Sequence, residues 1–279
     1  MQTSRLVLVA ASLVALAGLA WLAARHPSNE RAWSADHALL PRASFDGSRV
    51  GIVGVRNFRY GADGGVEPGY EERTYDLDRL DSVWFVLVPF SGRWRVPAHS
   101  FVSFGFGDSQ FVGISVEARR EADETYGVLP GLFRRYELMY VIADERDLLL
   151  RRVLHDRDQV YLYPVSASPE KARELFVAMV QRANALAGRP EFYNTLTNNC
   201  TSNLVEHVNA IAPGRIPAGW RTLLPGYADE VALELGLIEG GGSLEDARRR
   251  YRVNDRAVRH AADPAFSLRI RTRDETSAR

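Results

Sequence analysis

The spacing of apolar residues changes once along the chain, from the short period of strands to the longer period of helices. Between residues 49 and 165, runs rich in β-branched and aromatic residues are separated by turn residues, which predicts strands. The predicted strands are 49–60, 72–77, 82–88, 98–106, 110–117, 136–143 and 159–165. Since residues 82–88 are apolar on both faces, this strand is expected to be central in its sheet.

Helix signals begin at Ser168, a favourable N-cap that is followed by Pro169 at the first helical position. Gly188 follows the last periodic residue, so a helix is predicted over residues 169–187. Further helices are predicted at 200–211, near 227–235 and near 244–251. Strands followed by helices are typical of the α+β class.

The most apolar stretch is residues 6–24, between Arg5 and Arg25. At roughly 1.5 Å per residue, a helix over this run nearly crosses a bilayer core of roughly 30 Å. Trp21 and Leu22 fit an uncleaved anchor better than the exit of a cleaved signal peptide, which stays the alternative. No later run is long enough to span, so we expect a single N-terminal anchor in the cytoplasmic membrane and an extracytoplasmic catalytic domain.

The expected organisation has four parts. Residues 1–26 form the anchor or signal, 27–44 a stalk, 45–215 the catalytic domain, and 216–279 a C-terminal helical extension with a polar tail. The tail beyond Pro264 is a candidate for disorder because it is polar and rich in arginine.

The composition and the motifs of the chain argue against several classes of function. The 35 basic and 35 acidic residues give a net charge of zero, which argues against a nucleic-acid partner. A single cysteine excludes an intrachain disulfide and a thiolate-rich zinc site. The chain has no H-E-x-x-H, Walker-type or G-x-S-x-G motif, so we expect no cofactor and no metal.

The single cysteine, Cys200, lies between polar residues at the predicted start of helix 200–211. With Asn198 or Asn199 as N-cap, its sulfur would lie in the first turn, where free N–H groups and the helix dipole favour a thiolate. A buried structural cysteine is the alternative, but such cysteines usually lie on the apolar stripe of an element. Cys200 is therefore the candidate nucleophile.

A cysteine nucleophile needs a base, and His99 is the best placed of six histidines. It begins a strand, and a strand beside a helix N-terminus can hold an imidazole against a thiol. The other histidines lie in the stalk, the tail, a charged turn, or seven residues along the same helix: His26, His37, His260, His155 and His207.

Glu117 is the candidate third member. If the loop between strands 98–106 and 110–117 has an odd number of residues, His99 faces Glu117; an even loop places Ala118 there instead. A solvent-facing carboxylate tied to Arg119 or Arg120 is the alternative. Candidate oxyanion or substrate contacts are the Cys200 N–H and the side chains of Asn198, Asn199, Tyr193 and Arg119. The charged run 144–147, with Arg151 and Arg152, is interpreted as a solvated ion-pair network, and the alternative is that an arginine near the cleft binds a lipid phosphate.

Four stretches resemble the extracytoplasmic domain of Lnb-type lipoprotein N-acyltransferases: AHSFVSFGF, SVEARR, GLFRRYELMYVI and EFYNTLTNNCTSNL. The resemblance covers roughly residues 83–212, and a histidine preceding the cysteine also matches circularly permuted papain-like folds. The resemblance implies a permuted papain-like domain, with an antiparallel sheet packed against helices, in which Cys200 is the nucleophile and His99 the base. Glu117 is supported by position only.

The implied reaction moves a fatty acyl chain within a bacterial lipoprotein, from the glycerol of the lipidated cysteine to its α-amino group, through a thioester on Cys200. Since this chain has one apparent anchor and no multi-span region, unlike larger members, the acceptor stays open, and phospholipid is another candidate substrate.

Two other classes of function remain. One is a papain-like cell-wall amidase or peptidase, or a phospholipid acyl hydrolase, with water as acceptor. The other is a non-enzymatic binding domain with a buried cysteine. An aromatic cleft would favour acyl chains and a polar groove would favour cell-wall peptides. The phenylalanines that would line such a cleft, or else fill the core, are Phe101, Phe104, Phe106, Phe111 and Phe133.

Overall fold

The computed structural model describes residues 22–61, 64–90, 97–107 and 110–272, and the single positions 9, 12, 13, 16, 18 and 20. An eight-stranded sheet lies at its centre, with strands β1 (Arg42–Asp46), β2 (Arg49–Arg56), β5 (Tyr70–Asp76), β6 (Leu80–Pro89), β7 (Ala98–Phe106), β8 (Gln110–Arg119), β9 (Glu137–Asp144) and β10 (Tyr161–Pro164). Their order in the sheet is β1-β2-β9-β8-β7-β6-β10, and β5 pairs with β2. Two short strands, β3 (Arg59–Tyr60) and β4 (Val66–Glu67), pair separately.

The predicted strands are confirmed, with small differences at their ends. All pairings in the large sheet are antiparallel apart from the contact of β2 with β9, which is parallel. The sequence pattern missed β1 because four of its five residues are exposed, so it carries no buried face. The predicted strand 49–60 ends at Arg56.

The predicted helices are also present, with additional short ones. They are α1 (Val128–Leu132), α2 (Glu145–Leu150), α3 (Pro169–Gly188), α4 (Cys200–Ile211), α5 (Trp220–Leu223), α6 (Ala228–Glu234), α7 (Leu244–Tyr251), α8 (Asn254–Arg259) and α9 (Phe266–Arg269). A π-helical turn, Arg151–His155, follows α2, and single 3₁₀ turns lie at Ala35–His37, Leu77–Arg79 and Pro225–Tyr227. Ser168 caps α3 as predicted, accepting a hydrogen bond from the Lys171 N–H.

Helices cover both faces of the sheet, which confirms the α+β class. On one face, Phe104 and Phe106 of β7 pack against Phe176 of α3, at ring distances of 5.2 Å. On the other face, α2 and the segments after it form a second cluster that includes Leu149, Val253 and Phe266. Burial of these apolar groups is the main stabilising contribution to the fold.

The predicted stalk does not stand free of the domain. Ser28 N–H donates to Glu137 on β9, and the Asn29 side chain donates to carbonyls at the end of α3. His37 is fully buried. Residues 28–37 were assigned to a stalk because the segment is polar, but they are held by polar contacts to β8, β9 and the end of α3.

The C-terminal extension also packs on the domain. Phe266 and Ile270 are buried, although the tail beyond Pro264 was a candidate for disorder. The Arg271 guanidinium lies between the rings of Trp84 and Phe111 and donates to Glu145 at 2.5 and 2.7 Å. Residues 273–279 of the predicted tail lie outside the described residues.

The interpretation of residues 144–147 as a solvated network is wrong for two of its members. Glu145 and Asp147 are completely buried. Asp147 accepts two hydrogen bonds at 3.0 Å from Arg56, which is buried as well. Their partners are distant in sequence, so local charge alternation misrepresented their environment.

Most of the predicted anchor, residues 6–24, lies outside the described residues. Among the positions that the structure does describe, no helix is both long enough and apolar enough to span a membrane. The anchor therefore stays a prediction.

Candidate active site

The site lies where two neighbouring strands separate. The ladder between β7 and β8 ends at the Phe101–Ser115 pair. Beyond that pair, β7 continues to Ala98 against β6, and β8 continues to Arg119 against β9. The register pairs Phe106 with Gln110, so the connecting loop has the odd length that places His99 opposite Glu117.

The start of α4 brings Cys200 to this gap. Asn199 is the N-cap, and its side-chain oxygen accepts from the N–H groups of Thr201 and Ser202, both at 2.9 Å. The Ser202 hydroxyl in turn accepts from the Asn199 N–H, which completes a capping box. Cys200 is thus the first helical residue, as predicted, and its sulfur lies 3.8 Å from Thr201 Oγ1.

His99 is held by a chain of hydrogen bonds that ends on a second histidine. Ser115 Oγ donates to Glu117 Oε1 at 2.9 Å, so it must accept from His99 Nε2–H at 2.7 Å. The His37 ring approaches Glu117 Oε2 at 3.1 Å. Since the Arg120 N–H donates to His37 Nδ1, it is His37 Nε2 that carries the proton toward Glu117.

This arrangement fixes the basic atom of His99. With its proton on Nε2, the lone pair is on Nδ1, which has no hydrogen-bond partner among the described residues. No hydrogen bond joins His99 to Cys200 in the described part of the chain. His99 Nε2 lies 3.9 Å from Glu117 Oε1, which is too far for a hydrogen bond, so Ser115 connects the two side chains.

The charge states of the site follow from burial and these contacts. Burial, reinforced by the charge of Arg152, lowers the pKa of His99 to about 3, so the imidazole is neutral at neutral pH. Burial also lowers the pKa of His37. Burial by itself would raise the pKa of Glu117, but the hydrogen bond from His37 and the charge of Arg56 hold it well below its usual value. Glu117 is therefore a buried carboxylate.

Cys200, His99 and Glu117 line one cavity of about 460 Å³. The lining includes apolar and aromatic side chains, namely Phe90, Val116, Tyr126, Val128, Tyr193 and Leu196. It also includes five charged side chains, namely Arg120, Arg151, Arg152, Asp156 and Asp158. The cavity thus offers both apolar and charged groups to a ligand.

The five phenylalanines do not line this cavity. Phe101, Phe104, Phe106 and Phe111 are buried in the sheet, and Phe133 is exposed. The apolar lining comes instead from the strand gap, from Tyr126 and Val128 at the start of α1, and from Tyr193 and Leu196 in the loop before α4.

The other predicted site residues are used in different ways. Tyr193 lines the cavity. Burial, and to a smaller extent the nearby Cys200, raises the pKa of the Tyr193 hydroxyl, which is therefore neutral. Asn198 and Asn199 are absent from the lining. Asn198 binds Phe192 and Asn203, while Asn199 caps α4 and binds Thr195. These amides shape the loop that presents Cys200.

Arg119 is also absent from the cavity lining. It donates to the carbonyls of His37 and Ala38 at 3.0 and 3.1 Å and lies over the Trp33 ring. Its contacts position the segment that carries His37.

Sequence reasoning missed Ser115 and His37. Ser115 lies two residues before Glu117 and therefore on the same strand face, which was an available signal. For His37 there was no local signal, because its contacts lie 80 or more residues away in sequence. No group of three or more His, Cys, Asp or Glu side chains is placed to hold a metal ion in the described part of the chain.

A comparison with protein-family models matches residues 67–226 to the Lnb N-terminal periplasmic domain. The match covers more than half of the chain. The chain belongs to the Lnb family of periplasmic domains. No curated protein and no solved structure matches it.

Membership of the Lnb family supports an extracytoplasmic location for the domain. The matched range contains Cys200, His99, Ser115 and Glu117, whereas His37 lies before it. In this Lnb domain, the segment outside the matched range therefore completes the hydrogen-bond chain of the site.

The buried histidines predict how stability depends on pH. Their folded pKa values lie below the unfolded value near 6.5, so acidification protonates the unfolded chain first and stability falls as pH drops below about 6.5. For His99 this loss continues toward about pH 3. Each such group contributes a slope of about 1.4 kcal/mol per pH unit.

We expect His99→Gln to reduce that slope by about 1.4 kcal/mol per pH unit between pH 6 and 4.5. His207→Gln should do the same, because burial lowers the pKa of His207 to about 4. Urea unfolding of the full chain in detergent, followed by tryptophan fluorescence at several pH values, measures the slopes. Parallel curves for the wild type and both variants would contradict this assignment of neutral histidines.

Proposed function

We propose that this Lnb domain is a cysteine acyltransferase that moves a fatty acyl chain on bacterial lipoproteins through a thioester on Cys200. The observation that carries the proposal is that a capped-helix cysteine and an oriented, neutral histidine line the same cavity. The resemblance to lipoprotein N-acyltransferases supplies the substrate class. A permuted papain-like topology and an N-terminal membrane anchor are parts of the same proposal.

In the first half-reaction, His99 Nδ1 accepts the thiol proton and Cys200 Sγ attacks the carbonyl carbon of a glycerol ester. A C–S bond forms and the C–O bond breaks. The glycerol oxygen leaves with the proton that His99 returns. The N–H of Cys200, a first-turn donor with no intrahelical partner, is suited to the developing oxyanion.

In the second half-reaction, the α-amino group of the lipidated cysteine attacks the thioester. A C–N bond forms, the C–S bond breaks, and His99 takes a proton from the amine and returns one to the sulfur. The lipoprotein thus loses an O-acyl chain and gains an N-acyl chain, and the enzyme is unchanged. The apolar side chains of the cavity suit the acyl chain, and its charged side chains suit the polar head of the substrate.

Hydrolysis is the second candidate, and the charged residues of the lining favour it. Arg151, Arg152, Asp156 and Asp158 are polar groups in the cavity that can hydrogen-bond a water molecule for attack on the thioester. The same Cys200 and His99 chemistry would then release a free fatty acid from a phospholipid, or cleave an amide of the cell wall.

Product analysis tests the proposal. The full chain in phospholipid vesicles is mixed with a diacylated lipopeptide, and the protein and peptide are analysed by mass spectrometry. We expect an acyl adduct on Cys200 that hydroxylamine removes, and an N-acylated peptide. Neither should form with Cys200→Ala. Unchanged N-acylation by that variant would reject the proposal, and free fatty acid without N-acylation would favour the hydrolase.

Ser115 is expected to act as a positioning residue in this scheme. Ser115→Ala removes the hydrogen bond that orients His99, and a bond worth about 1 to 1.5 kcal/mol corresponds to a loss of about tenfold in kcat. Steady-state rates of acyl transfer should show this loss with little change in KM. The matched control is Ser103→Ala, since Ser103 is a buried serine of β7 whose hydroxyl donates to Glu145, away from the cavity. Equal losses for both variants would point to a general structural effect.

A further inference from the structure

Six large apolar side chains are exposed on residues that line the cavity or lie within five positions of a lining residue. Their exposed fractions range from 43% to 67%, and they are Val128, Leu129, Phe133, Leu196, Trp220 and Leu223. We call this set the apolar rim. Single exposed apolar residues are ordinary on a protein surface, but a set gathered at one opening marks an interaction surface.

The apolar rim has two parts, which we call lips. The first lip carries Val128, Leu129, Phe133 and Leu196, and the second carries Trp220 and Leu223. On the first lip, Thr195 Oγ donates to the Val128 carbonyl at 2.9 Å, which ties the loop of Leu196 to α1. The close approach depends on Gly131, since a Cβ there would overlap Thr195 Oγ1. Val128 and Leu196 themselves line the cavity.

On the second lip, Trp220 and Leu223 belong to α5, and the next residues, Leu224 and Pro225, line the cavity from that side. The Trp220 ring packs edge-on against Tyr227 with the ring centres 5.1 Å apart, while 62% of Trp220 stays exposed. An aromatic residue held in this way is typical of membrane–water interfaces.

The apolar N-terminal run reaches the domain beside the first lip. Arg134, which follows Phe133, donates a hydrogen bond to the Leu22 carbonyl at 3.0 Å. The run 6–24, which has the length and composition of a membrane segment, therefore ends next to the rim. A segment that enters a bilayer from this point brings the rim to the bilayer surface.

We propose that the apolar rim docks on a lipid bilayer, with the cavity mouth opening toward the membrane. The rim side chains enter the interfacial region, where burial of their apolar area favours docking. An acyl chain can then pass from the bilayer to the apolar side chains of the cavity without crossing water. This inference goes beyond the proposed function, because docking requires no chemistry at Cys200.

Spin labels on the full chain in phospholipid vesicles test the docking. Cys200→Ser removes the only native cysteine, and single cysteines are then introduced as L129C, F133C or W220C. Accessibility of each label is measured with oxygen, which concentrates in lipid, and with a water-soluble nickel chelate present on both sides of the vesicles. The matched controls are V53C and V258C, on β2 and α8, whose native side chains are 52% and 53% exposed.

We expect rim labels to be several-fold less accessible to the nickel chelate than the control labels, and more accessible to oxygen. Rim labels as open to the chelate as the controls would overturn the proposal, since the domain would then be tethered without docking. Rim labels shielded from both reagents would also overturn it, because a protein partner or second copy would then cover the rim. Since no outcome depends on turnover, failure of docking is distinguishable from failure of the acyltransferase proposal.

Discussion

Replacing Cys200 by serine is expected to lower the rate of acyl transfer by roughly 10⁴-fold or more, because nucleophile losses of this kind remove most of the catalysis. A serine hydroxyl is far less ionised than a thiol at neutral pH and is a weaker nucleophile. The change should leave the helix start intact, since the Asn199 cap binds backbone N–H groups and not the sulfur. Rates of N-acyl product formation on a lipopeptide, with unfolding curves for each variant, measure both effects.

Cys200 and His99 are expected to act in the same chemical step, which a double variant can test. His99→Gln alone should lower the rate by about 10² to 10⁴-fold, as expected for loss of a general base. Because both residues serve one step, the double variant should be no slower than Cys200→Ser. His207→Gln is the matched control, since His207 lies on the same helix but binds Tyr140, and its rate should equal that of the wild type. Multiplying losses in the double variant would show that the two residues act independently.

Much of the sheet was predictable because its strands carry local signals. The β7–β8 hairpin illustrates this best: alternation narrowed the residue opposite His99 to Glu117 for an odd loop or Ala118 for an even one, and the observed register has the odd loop. The start of α4 was equally local, since Asn199, Cys200 and Ser202 occupy neighbouring positions of one cap. Cap chemistry and strand period act over a few residues, so the sequence displays them directly.

The rest of the site depends on contacts that no local pattern encodes. His37 reaches Glu117 across 80 residues, from a segment without periodic apolar residues. The separation of β7 from β8 depends on each strand keeping its outer partner after the shared ladder ends. Long-range polar contacts of this kind are specified by the assembled sheet, and this is why a buried histidine was assigned to a stalk.

The buried ion pair of Arg56 and Asp147 is another long-range contact that the local sequence does not indicate. Asp147→Asn is expected to lower the free energy of unfolding by about 3 to 5 kcal/mol, because it leaves the buried Arg56 guanidinium without its counter-charge. Asp147 accepts two hydrogen bonds from that guanidinium, and also one from the Phe58 N–H at 2.8 Å. Arg56 donates in addition to the carbonyl of Asp36, the residue before His37. The pair therefore supports the segment that completes the active site.

A double-mutant cycle isolates this interaction. Arg56→Met, Asp147→Asn and the double variant are unfolded in urea at neutral pH, and the double variant should be more stable than the two single losses added together imply, since neither charge is left unpaired. The exposed pair Lys171–Glu174, whose side chains are 48% and 50% exposed, is the matched control. Its cycle should give less than about 1 kcal/mol. If Asp147→Asn costs no more than removal of that surface pair, the buried charge of Arg56 finds another partner, and the support it gives to the Asp36 and His37 segment does not depend on Asp147.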